Sequence, residues 1–317
     1  MIRRVMVTGA TTPLGLQLVA ELAADPDVHA VLALGVEDEP PPLPQGVRYE
    51  RTDLARARHV RRLLSGPVRE LEIDTIVHTA LHRSATDEGR RIHKLNVEST
   101  RLLMRLASAA PGIRRFVYRS DACVYRVRVT APQVLREDHP LELAPDAPQW
   151  VRDRVEGDVV ACTWMGLADL RVIVLRCSEI LTPGMGSQLL DWLRGRVCVR
   201  PLGFDPMLNI LSMADACRAV RLAIHSDEQG VLNITGADTL PLSQMAALCG
   251  KPCVTLPGPA VGAVYGLRAR TNGGQFRYDM NRNRFHFGGV LDGSRAGDVL
   301  GYAPHHPISW PPWGLET

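Results

Sequence analysis

An α/β fold, a doubly wound parallel sheet with a smaller C-terminal substrate lobe, is what the sequence predicts, and three observations predict it. A short apolar strand, Val5-Met6-Val7, runs through Thr8 and a glycine-bounded turn from Gly9 to Gly15 straight into an amphipathic helix. Apolar strands and apolar-striped helices then alternate as far as Arg176. Beyond Arg176 the alternation loosens into Gly- and Pro-rich chain.

The first turn is anion-binding by construction, because the backbone N–H groups and positive dipole of a new helix converge on one point. A plain strand-to-helix connection would need the same glycines, so the turn gains meaning from its place as the first of the chain. Pro13 to Ala24 reads as a helix with Leu14, Leu18, Val19 and Leu22 inward, and His29 to Leu34 as the second strand. Pro40-Pro41-Pro42-Leu43-Pro44 is a rigid loop, since consecutive prolines neither donate to a ladder nor continue a helix. A third strand follows at Val47 to Arg51, a helix at Arg56 to Leu64, and a fourth strand at Asp74 to Ala80, whose last residues meet the cleft. Glu88 to Ala109 makes one long helix, Arg115 to Ser120 a fifth strand, Val151 to Met165 a helix and Leu170 to Arg176 a sixth strand. Later come a helix at Met213 to His225, a strand near Val231 to Ile234 and a helix at Ser243 to Leu248, while Gly258 to Gly289 shows little periodicity. Residues 1–176 are therefore expected to form a nucleotide-binding domain, and 177–317 mostly the second lobe, with about 210–235 returning to the main domain.

Composition narrows the function. With 45% hydrophobic and 22% charged residues and a formal charge of +3, the chain is an ordinary globular protein with acidic and basic residues interspersed, which argues against nucleic acid as a partner. Lys94 and Lys251 are the only lysines. Seven scattered cysteines without CxxC spacing read as reduced, mostly buried thiols of a cytoplasmic protein with no zinc site. No apolar run suggests a membrane span, and the N-terminus has no signal-peptide plan.

Taken together, the landmarks resemble the extended short-chain dehydrogenase/reductase family, which includes NAD-dependent sugar-nucleotide epimerases and dehydratases. The likeness runs nearly end to end and implies a Rossmann-type sheet that binds NAD or NADP. Thr8-Gly9 and Gly15, with Thr11, Thr12, Pro13 and Leu14 between, resemble its TGxxGxxG turn; Asp53, next to Leu54, resembles the acid that meets the adenine. His78-Thr79-Ala80 sits where the family's fourth strand lines the cofactor, and Asn96 matches an asparagine of its central helix. Met213-Ala214-Asp215-Ala216 resembles its substrate-lobe helix start, and Asp292 to Pro304 its closing motif. The resemblance also implies a homodimer through the helices at Glu88 to Ala109 and Val151 to Met165, although their exposed faces here carry many arginines.

The departures fall on the residues that do the chemistry. The family's serine or threonine, and its YxxxK pair, correspond here to Asp121, Trp150 and Arg154. An indole N–H never gives up its proton at a working pH, and a guanidinium titrates too high to relay one. Arg154 keeps a positive charge for ribose hydroxyls. Thr12 holds the middle-glycine place, where its side chain pushes the dinucleotide outward or its hydroxyl donates to a phosphate. The end of the second strand, Leu34-Gly35-Val36, lacks the usual ribose acid; Glu37 or Asp38 are left to reach it, and NAD against NADP stays open.

Asp121 is the sharpest candidate for a substitute acid or base, against the plainer role of capping a turn or pairing with Arg119 or Arg154. Tyr125 is a second candidate, against packing under the substrate. Trp150 either stacks on a ring or fills the hole left by the tyrosine. Asp153 and Asp158 read as solvated helix charges, and His82, His93 and His139 as surface or loop histidines. The expected function is an atypical family member that binds a dinucleotide and an unidentified small molecule for sensing or as an accessory. The alternative is an active epimerase, dehydratase or reductase on a sugar nucleotide or small carbonyl, using Asp121 or Tyr125.

Overall fold

The computed structural model describes residues 2–313 apart from 131, 168 and 273 and the side chain of 272. Seven parallel strands, β1 (Arg3–Thr8), β2 (Val28–Gly35), β3 (Arg48–Arg51), β4 (Thr75–His78), β5 (Arg115–Asp121), β6 (Arg171–Cys177) and β7 (Gly230–Ile234), form one sheet in the order β3-β2-β1-β4-β5-β6-β7. The order reverses at β1, which pairs Val7 with Ala33 of β2 on one side and with Val77 of β4 on the other. A crevice opens above the carboxyl ends at that reversal. The inner strands are mostly apolar on both faces because helices cover both, whereas the edge strand β3 is polar.

Helices α1 (Pro13–Ala23) and α5 (Met213–His225) bury Leu14, Leu18, Val220 and Ile224 against one face. On the other face lie α2 (Ala57–Ser65), the long helix α3 and α4 (Gln149–Cys162), which bury Leu63, Leu103, Met104 and Ala161. Helix α3 runs continuously through Arg90–His93, a π-helical turn at Lys94–Glu98 and Ser99–Ser108. Such a turn bulges the helix by one residue and often lies at a functional position. It carries Asn96. Gly157 of α4 is required where that helix crosses β5, since a Cβ would lie 2.6 Å from the Tyr118 hydroxyl.

The C-terminal part has its own core of Leu190, Trp192, Leu208, Met245, Tyr265 and Phe285. Here expectation and structure differ. The stretch 258–289 contains two helices, Gly258–Asn272 and Tyr278–Phe287, although its sequence shows little periodicity. Gly262 hides the pattern: it leaves room for the Tyr278 ring, 3.6 Å from where a Cβ would stand, while Val261, Tyr265 and Phe285 supply the burial.

The chain ends by stitching both parts together. Buried Asp215, in the first turn of α5, accepts the N–H groups of His305 (3.0 Å) and His306 (2.9 Å), and His306 Nδ1 lies 2.8 Å from it. Asp238 accepts the Ile308 N–H, and Trp310 and Trp313 pack on the C-terminal core. All seven cysteines are free thiols. Among the described residues no helix is long and apolar enough to cross a membrane, and no cluster of His, Cys, Asp or Glu would hold a metal ion.

Candidate functional site

Two depressions lie at the carboxyl end of the sheet. The first is a groove of about 530 Å³ over the β1–α1 turn, lined among others by Gly9, Thr11, Thr12, Leu54, Ala80 and Glu37. The second is a cavity of about 290 Å³ between the end of β5, helix α4 and the second lobe, lined by Asp121, Tyr125, Trp150 and Arg154.

The turn keeps two of its three glycines for reasons visible in the backbone. Gly9 adopts φ +66°, and a Cβ there would stand 3.0 Å from Ala80 Cα. A Cβ on Gly15 would lie 2.1 Å from the Gly9 carbonyl oxygen, so α1 packs on the turn only with glycine there. Thr12 has an ordinary φ of −77° and caps α1: its hydroxyl accepts the Gly15 N–H (3.1 Å) and donates to the Gly9 carbonyl (2.8 Å). This corrects the expectation that the Thr12 hydroxyl donates to a phosphate, since its proton is already committed. Pro13 has no N–H and Gly15 gives its own to Thr12, so the turn offers an anion fewer donors than a glycine in that place would.

Several residues expected to line the cofactor lie beneath the groove. His78 is fully buried, with Nδ1 2.7 Å from Thr8 Oγ1 and Nε2 3.0 Å from Thr100 Oγ1. Thr8 Oγ1 accepts the N–H groups of Thr79 and Ala80, so its own proton goes to Nδ1. Thr100 Oγ1 donates to the Asn96 carbonyl, so His78 presents Nε2–H to it. The ring is a neutral tautomer, and burial pushes its pKa down to about 3. Thr79 donates to the Thr8 carbonyl (2.6 Å). Of that strand end, only Ala80 reaches the groove.

Asn96 and Arg154 also stand back. Asn96 Oδ1 accepts the His82 N–H (2.8 Å) and Arg154 Nη2 donates to the His82 carbonyl (3.1 Å), so both position the loop 80–85 that forms one wall. Arg83 Nη1 donates to the Gly184 carbonyl (2.8 Å), tying that wall to the second lobe. Asp53 accepts the Ala55 N–H and pairs with Arg56, while its neighbours Thr52 and Leu54 line the groove. At the far end Glu37 lines the groove, whereas Asp38 is paired with Arg51. Asp191 enters from the second lobe, and burial with the nearby Glu179 charge pushes its pKa up to about 6.

At the carboxyl end of β5 charged side chains pair with one another. Asp121 closes β5 and is shared by two guanidiniums, Arg119 Nη2 at 2.6 Å and Arg154 Nε at 2.8 Å. The Arg154 guanidinium stacks 3.4 Å over the Trp150 ring, and both side chains are buried. Helix α4 begins earlier than its apolar pattern suggests, at Gln149, so Trp150 and Arg154 are four residues apart on one helical face. Trp150 thus meets an arginine of its own helix. Tyr125 is buried; its hydroxyl donates to Asn233 (2.5 Å), accepts from Arg176 (3.2 Å), and has its pKa pushed up to about 12, burial being the largest cause.

Beneath Tyr125 a second correction applies. Asp158 is fully buried, not solvated: Arg176 grips both its oxygens (2.7 and 3.0 Å) and Ser120 donates to it (2.6 Å). Asp153 is also buried, held by His93, Gln149 and Asn96. Sequence reasoning missed Ser178, Glu179, Asn281 and Arg284 of the cavity and Arg83, Asp191 and Gln275 of the groove. All but Arg83 lie beyond Arg176, where the strand–helix alternation no longer locates them.

A model of the NAD-dependent epimerase/dehydratase family matches residues 5–234. The chain belongs to that family. An uncharacterised protein of Mycobacterium tuberculosis is 30% identical over 307 residues, 95% of this chain and 80% of that protein. The 3-diazoavenalumate denitrifying reductase of a Streptomyces species is 30% identical over 321 residues, 97% of each chain. Among solved structures, the UDP-glucuronic acid 4-epimerase from Bacillus cereus in complex with NAD superposes with a TM-score of 0.69 at 16% identity, covering 96% of this chain and 94% of that one. That likeness is one of fold.

Proposed function

We propose that the chain binds a nicotinamide dinucleotide in the groove and a small molecule in the adjoining cavity, without tyrosine-based proton transfer between them. The observation that carries this reading is the Asp121–Arg154–Trp150 assembly, which stands at the three positions where the resemblance implies a serine, a lysine and a tyrosine and locks their side chains together. Neither candidate substitute is free to move a proton, because both Asp121 oxygens face guanidiniums and the Tyr125 proton is committed to Asn233. The groove residues suit the dinucleotide, with Gly9, Gly15 and the start of α1 for the pyrophosphate and Leu54 and Ala80 flanking it. Glu37 at the adenosine end favours a ribose diol over a 2′-phosphate, and so NAD over NADP. The role is then sensing or accessory binding, in a cytoplasmic protein that pairs through α3 and α4.

A second reading is favoured by the Streptomyces relative, whose name describes a reductase. A bound reduced nicotinamide supplies hydride. An acceptor that is already electrophilic, such as an arenediazonium acid, takes the hydride as its C–N bond breaks and N2 leaves, so it needs no proton from a tyrosine, and the residues of this chain then bind, orient and exclude water.

Calorimetric titration of ligand-stripped protein with NAD, NADH, NADP and NADPH tests the first reading. Micromolar binding of NAD or NADH is expected, and binding of none retires it. Oxidation of the reduced dinucleotide in the presence of an arenediazonium salt, persisting in Asp121→Asn and Tyr125→Phe, separates the second reading from the first.

A further inference from the structure

We propose that the cavity binds the carboxylate of a small organic acid, anchored on Arg154 Nη1, with Ser178 Oγ as a further donor lining the same space. The inference rests on the cavity being a ligand site and not on occupancy of the groove.

The charge count leads to an anion. Asp121 is one carboxylate between two guanidiniums, and the side chains of Arg119 and Arg154 are 8% and 3% exposed. One positive charge is left over, in a setting where an uncompensated charge is strongly unfavourable. Among the described residues no carboxylate other than Asp121 pairs with either guanidinium. Asp158 is spent on Arg176, and Glu179 is spent on Arg284, Ser187 and the Leu189 N–H. Asp153 turns to His93, Gln149 and Asn96 on the α3 side of the helix. Burial pushes the Cys123 and Cys177 thiols up to about 12, so both are neutral.

The hydrogen-bond count leads to the same place. Arg154 Nη1 and Ser178 Oγ are buried and have no hydrogen-bond partner among the described residues, and both residues line the cavity. Buried donors of this kind are uncommon because an unmade bond costs the whole desolvation of the group. An oxygen acceptor from a ligand completes them.

Size and lining choose the ligand. A single surplus charge matches a monoanion, while a phosphate dianion would remain half neutralised beside Glu142 and Asp146, which also line the cavity. Val127, Leu135, Ile180, Met280 and Leu291 supply an apolar wall. A space of about 290 Å³ lies near the lower end of the range for ligand pockets, roughly 300–1,000 Å³, and suits a benzenoid or short aliphatic acid.

The test titrates wild-type protein with benzoate, phenylacetate and 3-phenylpropanoate, and with their neutral amides, followed by saturation-transfer NMR and calorimetry. At least one acid is expected to bind about tenfold or more tightly than its amide. Arg154→Gln should abolish that preference. Asp121→Asn should strengthen acid binding, because it removes the competing carboxylate and adds a net positive charge. Opposite signs at two touching residues are not what a purely structural role predicts. Circular dichroism of each variant checks folding, and Ser178→Ala, expected to weaken the acid a few-fold, keeps the test open if Arg154→Gln misfolds. Equal affinity for acids and amides, no binding of any acid at 10 mM as a roughly chosen ceiling, or weaker acid binding in folded Asp121→Asn overturns the proposal. NAD titrated separately distinguishes the failures: acid binding without NAD binding removes the dinucleotide reading alone, and the reverse removes this one alone.

Discussion

The groove and the cavity both open at the carboxyl end of the sheet and meet at Gly186, yet they hold their shape by different means. The groove is defined by main-chain geometry: a positive φ at Gly9, a carbonyl in van der Waals conflict with any side chain at position 15, and a helix cap at Thr12. The cavity is defined by side-chain charge, with Arg119, Asp121 and Arg154 locked together and Trp150 stacked beneath. Main-chain requirements persist when chemistry changes, because they also hold the fold. Side-chain requirements are met by partners, and here Asp121, Arg154 and Trp150 meet them among themselves.

The largest effect that would break this comparison is expected from Gly15→Ala. Its Cβ cannot avoid the Gly9 carbonyl, so α1 must shift; dinucleotide binding should fall beyond detection and unfolding should cost about 2–4 kcal/mol less, measured by calorimetry and denaturant titration. Near-normal binding would show that the turn tolerates more than its geometry allows. Next is Asp158→Asn under the cavity. It leaves Arg176 buried without its counter-charge, and a loss of about 3–5 kcal/mol is expected on urea unfolding. A loss under about 1 kcal/mol would mean that the pair is better hydrated than its burial indicates.

Two groups at the groove respond to acidity with opposite sign. His78 under the groove has a folded-state pKa pushed down to about 3, whereas the unfolded chain takes up the proton near 6.5; its contribution is complete above about pH 6.5 and is lost as pH falls from there. Asp191 is shifted the other way, from 3.8 to about 6, so the folded protein keeps a proton that the unfolded chain releases, and stability is lost as pH rises from about 4 to about 6. Asp191→Asn should therefore be more stable than wild type at pH 7.5, with a difference that shrinks below pH 4. Thermal melts across pH 4–8 read this, and an unchanged pH profile would deny Asp191 its shift. The smallest effect is expected at Thr12→Gly. Freeing the Gly15 N–H and removing the side chain should tighten dinucleotide binding by about 3–10-fold, at a cost of a few tenths of a kcal/mol for the cap.

The sheet was legible because periodicity is local. Each of the first six strands and the helices between them announces itself within a window of a dozen residues, and the helix at Met213–His225 was readable to its ends. The three positions that the resemblance singles out, Asp121, Trp150 and Arg154, were named from motif spacing, and the structure brings their side chains into contact. What stayed hidden depends on partners distant in sequence. Asp158 looks like any helix carboxylate until β6 brings Arg176 beneath it, and His78 looks like a cleft residue until Thr8 and Thr100 close on both its nitrogens. The helix Gly258–Asn272 was obscured by its glycines, of which Gly258 and Gly262 face His286 and Tyr278 of the next helix, and which blur its own apolar stripe.

The bonds between Asp215 and the last stretch of backbone have a consequence for the order of assembly. They join groups 90 and 91 residues apart, and Asp238 meets the Ile308 N–H across 70. These residues follow α5 and β7 in the chain, so during synthesis they become available to dock only after those elements have emerged. No residue lining the groove lies beyond Gln275, and none lining the cavity beyond Leu291. Both depressions are thus built before the segment that fastens the two parts to each other, and a chain emerging from synthesis would gain its ligand sites before it gains its final rigidity.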